Sequence, residues 1–402
     1  MSFVFYFFAA VLILLSVKSL VDGIRYLQFF RSELLKPRQT KFTPFVTVIV
    51  PCRGVDPDLD INLKTLFELD YPIFEIVFVV DDQHDPAVAV ISEVRASAES
   101  KQISSRIVIA NKAKAASQKV ENLREAVLHA SDRSEAFAFV DSDARPSPGW
   151  LRSLVAPLAD KNAGASTGYR WFIANKPNLA SELRSVWNAS IASALGPNTS
   201  SNFCWGGAMA IRRDTFERLK IRERLEGTLS DDFVVTRTMK EAKLPIVFVP
   251  QALTASVDDC TFAQMLEFTT RQMKITRVYA RPLWILSFFG AALFNAVMIA
   301  AFLIVSLSRQ NGLPVYAAFA TLLIVAFCST GKAWLRLNAA RLALPDHLDA
   351  LKKQVWTQNT LWLFTPVIFL HNAVAAFFSR RMTWRGTTYE LKSPTETVII
   401  AD

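Results

Sequence analysis

The residues best suited to carry chemistry are two aspartates, Asp141 and Asp143, which directly follow an apolar run at residues 136–140. The run is typical of a buried strand, and the prolines and glycine of residues 146–149 end it. Because open α/β sheets bind ligands at the carboxyl ends of their strands, both carboxylates are expected at a ligand-binding edge. There they could hold Mg²⁺ or Mn²⁺, which share oxygen ligands with substrate phosphates. A polar turn is the alternative interpretation.

Other charged residues stand at comparable positions. A second predicted strand ends at Asp81 and Asp82, whose carboxylates could accept hydrogen bonds from a nucleobase or ribose, or could face solvent in a turn. Lys119 begins a predicted helix after a polar loop. At that helix end it could contact a phosphate or base, or it could be an ordinary surface charge.

A general base for transfer to a hydroxyl group is expected at Asp231 or Asp232. Such a base must lie within hydrogen-bond reach of the hydroxyl. Ser230 is a good N-cap, and acids in the first helical turn suit the helix dipole, so a plain helix start explains the same residues. His84 is a competing candidate, but it is predicted to lie on the nucleotide side of the sheet.

Residues 203–209 place an aromatic side chain, Trp205, before two glycines, Gly206 and Gly207. Glycine lets backbone approach a ligand closely, so this segment could face a sugar ring. Ordinary packing would explain the same pattern.

Residues 264–281 are predicted to form a basic amphipathic helix directly before a membrane segment. Its cations are mingled with Met, Phe and Tyr, and they are Arg271, Lys274, Arg277 and Arg281. Such a helix should lie in the membrane interface and could also reach a departing diphosphate. A plain juxtamembrane anchor is the alternative.

The elements that position these side chains alternate between strand and helix over residues 45–250. Strands are predicted at residues 46–50, 75–80, 107–110 and 136–140, with helices near residues 62–69, 87–96 and 118–129. This order predicts a doubly wound, mainly parallel sheet of the nucleotide-binding kind. The sequence contains neither a Gly-x-Gly-x-x-Gly fingerprint nor a P-loop, so a metal is the expected substitute for phosphate binding.

Composition sets the outer limits. The 402 residues are 51% hydrophobic, enough for one catalytic-size domain plus membrane segments, and this excludes global disorder. A net charge of +9 is compatible with binding to anionic lipid, nucleic acid or phosphorylated substrates. Of these three, nucleic acid is not predicted as a partner. Four scattered cysteines without a Cys-x-x-Cys pair make a zinc site or disulfide framework unexpected and fit a reducing compartment.

Residues 1–17 carry no charged side chain and continue into a slightly amphipathic extension to about residue 30. The stretch lacks the basic start and small-residue cleavage site of a signal peptide, so it is interpreted as an uncleaved transmembrane helix, with a buried soluble helix as the alternative. The positive-inside rule then places the following domain in the cytosol. The cations concerned are Lys18, Arg25, Arg31, Lys36, Arg38 and Lys41.

Three further stretches, residues 282–308, 310–331 and 354–379, are long and apolar enough to span a bilayer. The basic residues 332–353 between the last two are predicted to lie at the cytosolic interface, and the link around Arg309 outside. Four spans from an external N-terminus would put the tail outside, whereas Arg380, Arg381 and Arg385 favour the cytosol. Pro366 could instead break the last stretch into a re-entrant hairpin.

Taken together, the chain resembles the ceramide glucosyltransferase family, an inverting branch of the GT-A glycosyltransferases. The resemblance extends from about residue 49 to the tail. It depends on RGVDPDL at residues 53–59, NLKTLFELDYP at 62–72, HDPA at 84–87 and TWRGTTYEL at 383–391. Similarity over this length is more specific than a single Asp-x-Asp.

The resemblance implies roles for individual residues. By it, Asp82 contacts the uridine part of the donor, Asp141 and Asp143 hold the metal diphosphate, and Asp232 is the catalytic base. Lys119 stands where related GT-A enzymes hold the nucleotide.

The family's fourth motif is Gln or Arg, two residues, then Arg-Trp. Its best match here runs from Arg271 to Ile275, with Lys274 in place of Arg and Ile275 in place of Trp. The positive charge is kept without the bidentate fork of Arg. Arg271 and Lys274 are therefore predicted to bind the donor, while packing on the acceptor or product side differs from the family pattern.

The sequence thus predicts an integral membrane, metal-dependent glycosyltransferase. Its parts are an N-terminal membrane helix (1–30), a cytosolic GT-A domain (45–260), an interfacial helix (261–281), a membrane region (282–379) and a basic tail (380–402). It would transfer a sugar, with glucose favoured, from a UDP-sugar to the hydroxyl of a membrane lipid, with ceramide favoured. Hopanoid or diacylglycerol acceptors, UDP-galactose or UDP-N-acetylglucosamine donors, a processive polysaccharide synthase and a non-catalytic scaffold are the alternatives.

Overall fold

The computed structural model describes residues 2–36, 41–98, 102–308 and 312–401. They form two compact units, which we call the sheet unit and the helical unit. The sheet unit comprises Ser32–Asn175, Ala194–Asp258 and Arg380–Asp402, and the helical unit comprises Met1–Arg31, Lys176–Ser193 and Asp259–Ser379. Arg38 and the link around Arg309, both used in the topology prediction, lie outside the described residues.

All the strands belong to the sheet unit, as far as the chain is described. They are β1 (Val46–Pro51), β2 (Phe74–Val80), β3 (Ser104–Ile109), β4 (Ala136–Val140), β5 (Ala165–Ile173), β6 (Ala208–Arg212), β7 (Ile246–Val257), β8 (Arg381–Trp384), β9 (Thr387–Ser393) and β10 (Glu396–Ala401).

The helices of the described residues are distributed over both units. They are α1 (Ser2–Leu34), α2 (Leu59–Leu66), α3 (Pro86–Ser97), α4 (Gln118–Ala126), α5 (Trp150–Val155), α6 (Leu179–Ala192), α7 (Arg213–Arg218), α8 (Ile221–Arg224), α9 (Asp231–Glu241), α10 (Phe262–Tyr279), α11 (Arg281–Leu307), α12 (Leu313–Ala343), α13 (Leu348–Lys353), α14 (Val355–Thr360) and α15 (Thr365–Phe378).

The large sheet has the strand order β3-β2-β1-β4-β6-β5-β7. Every residue of β1, β2 and β4 is buried, as expected for strands covered on both faces. The pairs β1–β2, β1–β4, β2–β3 and β5–β7 are parallel, and only the pairs made by β6 are antiparallel within the described sheet. This confirms the predicted α/β class with a mainly parallel sheet.

The order of the strands defines where a ligand should bind. From β1 the chain winds through β2 to β3 on one side, and then continues with β4 on the other side of β1. The topological switch point therefore lies between β1 and β4, where open α/β sheets bind their ligands. The loops beyond these two strands contain the predicted Asp141 and Asp143.

The last residues fold back into the sheet unit. Strands β8, β9 and β10 form a three-stranded antiparallel sheet in the order β10-β9-β8. The basic tail predicted at residues 380–402 is therefore an ordered sheet, because alternation such as that of residues 387–391 buries Thr387, Tyr389 and Leu391 on one face.

The helical unit contains the membrane candidates. Three helices are long and apolar enough to cross a bilayer: Phe3–Leu34, Arg281–Leu307 and Leu313–Ala343 in the described part of the chain. Ala9, Leu12, Val297 and Val325 pack together and join these helices in one apolar core. A second core joins α6, α10 and α15 through residues such as Trp187, Met265 and Ile368.

Two features of this unit can be compared with the sequence prediction, and the first differs from it. Helix α12 continues through residues 332–343, which are predicted to belong to a separate interfacial piece, because residues 332–344 contain neither proline nor glycine. The last apolar stretch is bent by 55° between Val355–Leu363 and Thr365–Phe378. Pro366 occupies the first turn of α15, so the predicted break at this proline is observed.

Candidate active site

Two carboxylates at the switch point are bridged by one guanidinium group. Arg170 donates from Nη2 to Asp141 Oδ2 at 2.9 Å and from Nη1 to Asp143 Oδ2 at 2.8 Å. Its Cζ lies 4.6 Å from the centre of the Trp205 ring, within cation–π distance. Arg170 therefore fixes the spacing of the predicted metal-binding pair, a role that the sequence analysis did not assign to it.

The backbone of β5 places Arg170 at this position. Its pairing with β7 changes register between Thr167 and Tyr169. A Cβ on Gly168, the residue between them, would lie 2.1 Å from the carbonyl oxygen of Ala252, so only glycine fits. Irregularities of this kind re-aim the side chains that follow them.

Lys119 joins this pair to the carboxylates of α9. Its Nζ lies 2.8 Å from Asp141 Oδ1 and 3.4 Å from Asp231 Oδ1. The helix that carries it begins at Ser117, whose hydroxyl accepts a hydrogen bond from the Val120 N–H. Burial disfavours the charged amine, but Asp141 and Asp231 outweigh it and raise the pKa of Lys119. The Lys119 amine is therefore expected to carry its positive charge at neutral pH.

Asp232 lies beside Asp231 in the first turn of α9. Its Oδ1 accepts hydrogen bonds from the Ser230 hydroxyl and, at 2.8 Å, from the Phe233 N–H. Burial and the charge of Asp231 raise the pKa of Asp232 to about 6, although Ser230 and Lys119 partly oppose the shift. A carboxylate with such a pKa is ionised at neutral pH and is a stronger proton acceptor than an ordinary aspartate.

Gly206 and Gly207 let the backbone pass beside these charges. A Cβ on Gly206 would lie 2.0 Å from Asp231 Oδ2, and one on Gly207 would lie 2.6 Å from Asp141 Oδ2. The backbone at these glycines therefore lies close to the carboxylate cluster, as the prediction of a close approach requires. Trp205 contacts Arg170, which in turn binds two of the carboxylates.

Asp82 lies at the same sheet edge, beyond β2. Its Oδ1 accepts a hydrogen bond of 2.9 Å from the His84 N–H, and the neighbouring Asp81 lies 3.9 Å from Arg53 Nε. Because β1 separates β2 from β4, two strand spacings of about 4.8 Å place the end of β2 roughly 10 Å from that of β4. A nucleoside diphosphate could span this distance, with its nucleoside at the end of β2 and its phosphates at the end of β4.

Arg271 and Lys274 lie on α10 of the helical unit. The Arg271 guanidinium stacks over the Phe268 ring at 5.5 Å, and burial lowers the pKa of Lys274. Donor binding by these two residues stays a prediction.

Asp141 and Asp143 are the predicted ligands of a divalent cation. Among the described residues, no group of three or more His, Cys, Asp or Glu side chains is arranged to hold a metal ion. Asp143 Oδ1 is nevertheless buried and accepts no hydrogen bond from the described residues. Mg²⁺ and its relatives commonly use one or two carboxylates and take their remaining ligands from water and phosphates. Asp143, beside Asp141, therefore fits a cation that a phosphorylated donor brings with it.

Similarities to known proteins extend these observations. A stretch of 45 residues is 40% identical to the ceramide glucosyltransferase of Komagataella phaffii, and it covers 11% of this chain and 9% of that relative. The mannosyltransferase PcManGT from Pyrobaculum calidifontis, solved with GDP-Man and Mn²⁺, is 18% identical over 92% of this chain and 98% of its own, with a TM-score of 0.45.

Glucosyl-3-phosphoglycerate synthase from Mycobacterium tuberculosis, solved with Mn²⁺ and UDP-Glc, is 13% identical over 57% of this chain and 77% of its own, with a TM-score of 0.36. Both solved structures are too distant to inform the donor, metal or acceptor of this chain.

The family model described as glycosyl transferase family 21 matches residues 11–397, which extend from α1 into β10. This match confirms the resemblance drawn from the motifs of β1, α2 and the tail. The chain belongs to glycosyl transferase family 21, the ceramide glucosyltransferase family, and is a glycosyltransferase.

Proposed function

We propose that the protein transfers a sugar, with glucose favoured, from a UDP-sugar to the hydroxyl of a membrane lipid, with ceramide favoured. The observation that carries the proposal is the carboxylate cluster at the switch point. One member, Asp232, has a pKa of about 6, while Asp141 is held by Lys119 and Arg170. The cluster thus contains one carboxylate that can accept a proton, that of Asp232. The negative charge of the other, Asp141, is already balanced in part by two cations.

In the proposed reaction, Asp232 accepts the proton of the acceptor hydroxyl. The freed oxygen attacks the anomeric carbon of the sugar from the face opposite the diphosphate, the bond between that carbon and the phosphate oxygen breaks, and UDP leaves. The configuration of the anomeric carbon is inverted. Holding both reactants in line supplies much of the rate enhancement in reactions of this kind.

The diphosphate needs positive charge as it departs. Lys119 and Arg170 already lie at Asp141, and a divalent cation bound at Asp143 would neutralise further charge when present. Asp82, about 10 Å away, is proposed to bind the uridine part. Arg271 and Lys274 are proposed to be donor-binding residues, as the match to the fourth motif predicts.

The membrane helices fit a lipid acceptor, because a soluble sugar acceptor would not need them. The cations Lys18, Arg25, Arg31 and Lys36 stand in and after the second half of α1. By the positive-inside rule, these cations support a sheet unit that lies in the cytosol.

The position of the tail limits how many times the chain can cross the membrane. Residues 380–402 belong to the sheet unit, where Arg385 hydrogen-bonds with Asp56, and this supports a tail on the same side of the membrane as the rest of that unit. Helices α11 and α12 have 27 and 31 residues, enough for two crossings of a hydrocarbon core about 30 Å thick. The bent pair of α14 and α15 is therefore proposed to be re-entrant, and a cytosolic tail is proposed with it.

Cysteine labelling tests this topology. Single cysteines introduced by Glu396→Cys in the tail and Lys161→Cys in the sheet unit, both exposed positions, are expected to react with a membrane-impermeant maleimide from the same side of sealed vesicles. The four native cysteines are buried and give a low background. Labelling from opposite sides would contradict the re-entrant assignment.

A transfer assay on purified protein in lipid nanodiscs tests the function itself. UDP-glucose, UDP-galactose and UDP-N-acetylglucosamine are each offered with ceramide, a hopanoid polyol or diacylglycerol, with and without EDTA. We expect a glucosylated ceramide that disappears with EDTA and returns when Mg²⁺ or Mn²⁺ is restored. Asp232→Ala in the same assay controls for contaminating transferases.

The other outcomes are separable. Release of UDP without a glycolipid would support the proposed UDP-sugar donor and contradict the proposed lipid acceptor. A polymer product would indicate a processive synthase. Neither UDP nor glycolipid under any condition would favour a non-catalytic scaffold, and full activity in EDTA would remove the metal from the proposal.

A further inference from the structure

The tip of the C-terminal hairpin lies against the loops of the candidate donor site. The hairpin, formed by β8 and β9, turns at Arg385 and Gly386, whose φ angles of 49° and 87° are both in the left-handed region. Two such residues in succession are typical of a tight two-residue turn, which glycine favours at its second position. The turn therefore presents the Arg385 side chain in a defined direction.

Arg385 is fixed to the loop that follows β1. Its Nη2 lies 2.8 Å from both carboxylate oxygens of Asp56, and its Nη1 donates to the carbonyl oxygen of Arg53. In return, Arg53 Nη1 donates to Thr387 Oγ1 at 3.0 Å, one residue beyond the turn. The hairpin and the β1 loop thus hold each other in place.

The same contacts continue to the Asp-Ser-Asp segment. Asp56 Oδ2 accepts a hydrogen bond of 3.0 Å from the Ser142 hydroxyl, and Ser142 stands between Asp141 and Asp143. Burial would raise the pKa of Asp141, whereas Lys119, Arg170 and, more weakly, Arg385 lower it. Arg385 is therefore close enough to act electrostatically on the carboxylates proposed to receive the diphosphate.

We infer that Arg385 is a donor-binding residue that contacts the diphosphate of the UDP-sugar, so that the C-terminal hairpin completes the donor site. A guanidinium fork matches phosphate oxygens as well as it matches carboxylate oxygens. The two Asp56 contacts use the hydrogens of Nη2 and the Arg53 carbonyl uses one on Nη1, which leaves the second Nη1 hydrogen and the Nε hydrogen for an anion, and the side chain is 35% exposed. The inference rests on the proposed function, because it takes the diphosphate position from that reaction.

Binding of phosphate by Arg385 can be distinguished from a purely structural role of the hairpin. If Arg385 binds phosphate, its loss should weaken ligands in proportion to their phosphate content. If the hairpin only stabilises the β1 loop, loss of Arg385 should weaken uridine and UDP equally.

Calorimetric titration of the detergent-purified full chain with uridine, UDP and UDP-glucose distinguishes these possibilities. For Arg385→Gln we expect UDP and UDP-glucose to bind about 10- to 100-fold more weakly, as for the loss of a hydrogen bond to a charged group, with uridine affinity unchanged. Arg385→Lys should recover part of the loss. Arg381→Gln is the matched control, because Arg381 lies on the same hairpin but pairs with Glu390 and is 66% exposed.

Each outcome decides one point. Equal losses for uridine and UDP in Arg385→Gln, or unchanged UDP affinity, would overturn the inference while leaving the proposed function intact. An equal effect of Arg381→Gln would also overturn it. Wild-type protein that binds no uridine nucleotide would overturn the proposed donor and the inference with it.

Discussion

Replacing Asp232 by Asn is expected to lower kcat by about 10³-fold, within the range that general bases contribute. The amide keeps the shape of the side chain and can still accept hydrogen bonds from Ser230 and Phe233, but it cannot take the proton of the acceptor. Donor affinity should stay within about 3-fold, because the donor-binding groups are untouched. Initial rates and UDP-sugar titrations on the same preparation measure both quantities.

The pH dependence provides a second check on the base. Because the pKa of Asp232 is about 6, the wild-type kcat should be constant above neutral pH and fall as the carboxylate is protonated below pH 6. The charge of Asp231 contributes to this raised pKa, so Asp231→Asn should move the fall to lower pH. A larger loss of kcat in Asp231→Asn than in Asp232→Asn would instead assign the base to Asp231.

The sheet and most of the cluster were predictable because local sequence determines them. Runs such as residues 136–140 are wholly apolar and stop at acids, which is how a buried strand ends at a ligand-binding edge. Parallel strands bring such ends to one edge of a sheet, so the sequence predicts Asp82, Asp141 and Asp143 at the same edge. Lys119 is predicted at the same site for a similar reason, because it begins a helix after a polar loop.

The partners of these carboxylates were harder to predict because they depend on long-range register. Arg170 reaches Asp141 only through the pairing of β5 with β6 and β7 and the irregularity at Gly168. The available signal was a lone cation within the otherwise apolar end of β5 at Tyr169–Ile173, where a buried charge requires a partner. Arg385 is more than 200 residues from Asp141, and no local pattern predicts their proximity.

Replacing Arg170 by Met is expected to have the largest effect on stability. It leaves Asp141 with the ion pair to Lys119 and removes the only ion pair that Asp143 makes among the described residues. Removing one partner of a buried pair costs about 3–5 kcal/mol, and the lower end applies because Asp143 is 36% exposed. For a domain of this size, a loss of about 3 kcal/mol corresponds to a fall in Tm on the order of 10 °C.

A second substitution identifies the cause of that loss. If unpaired negative charge destabilises Arg170→Met, then adding Asp143→Asn should recover at least half of the fall in Tm, although Asp143→Asn alone should not stabilise the protein. Arg224→Gln is the control, because Arg224 and Glu241 form an exposed pair, 42% and 51% accessible, worth at most about 1 kcal/mol. No recovery in the double variant would show that Arg170 stabilises the sheet through its packing on Trp205 and not through the two carboxylates.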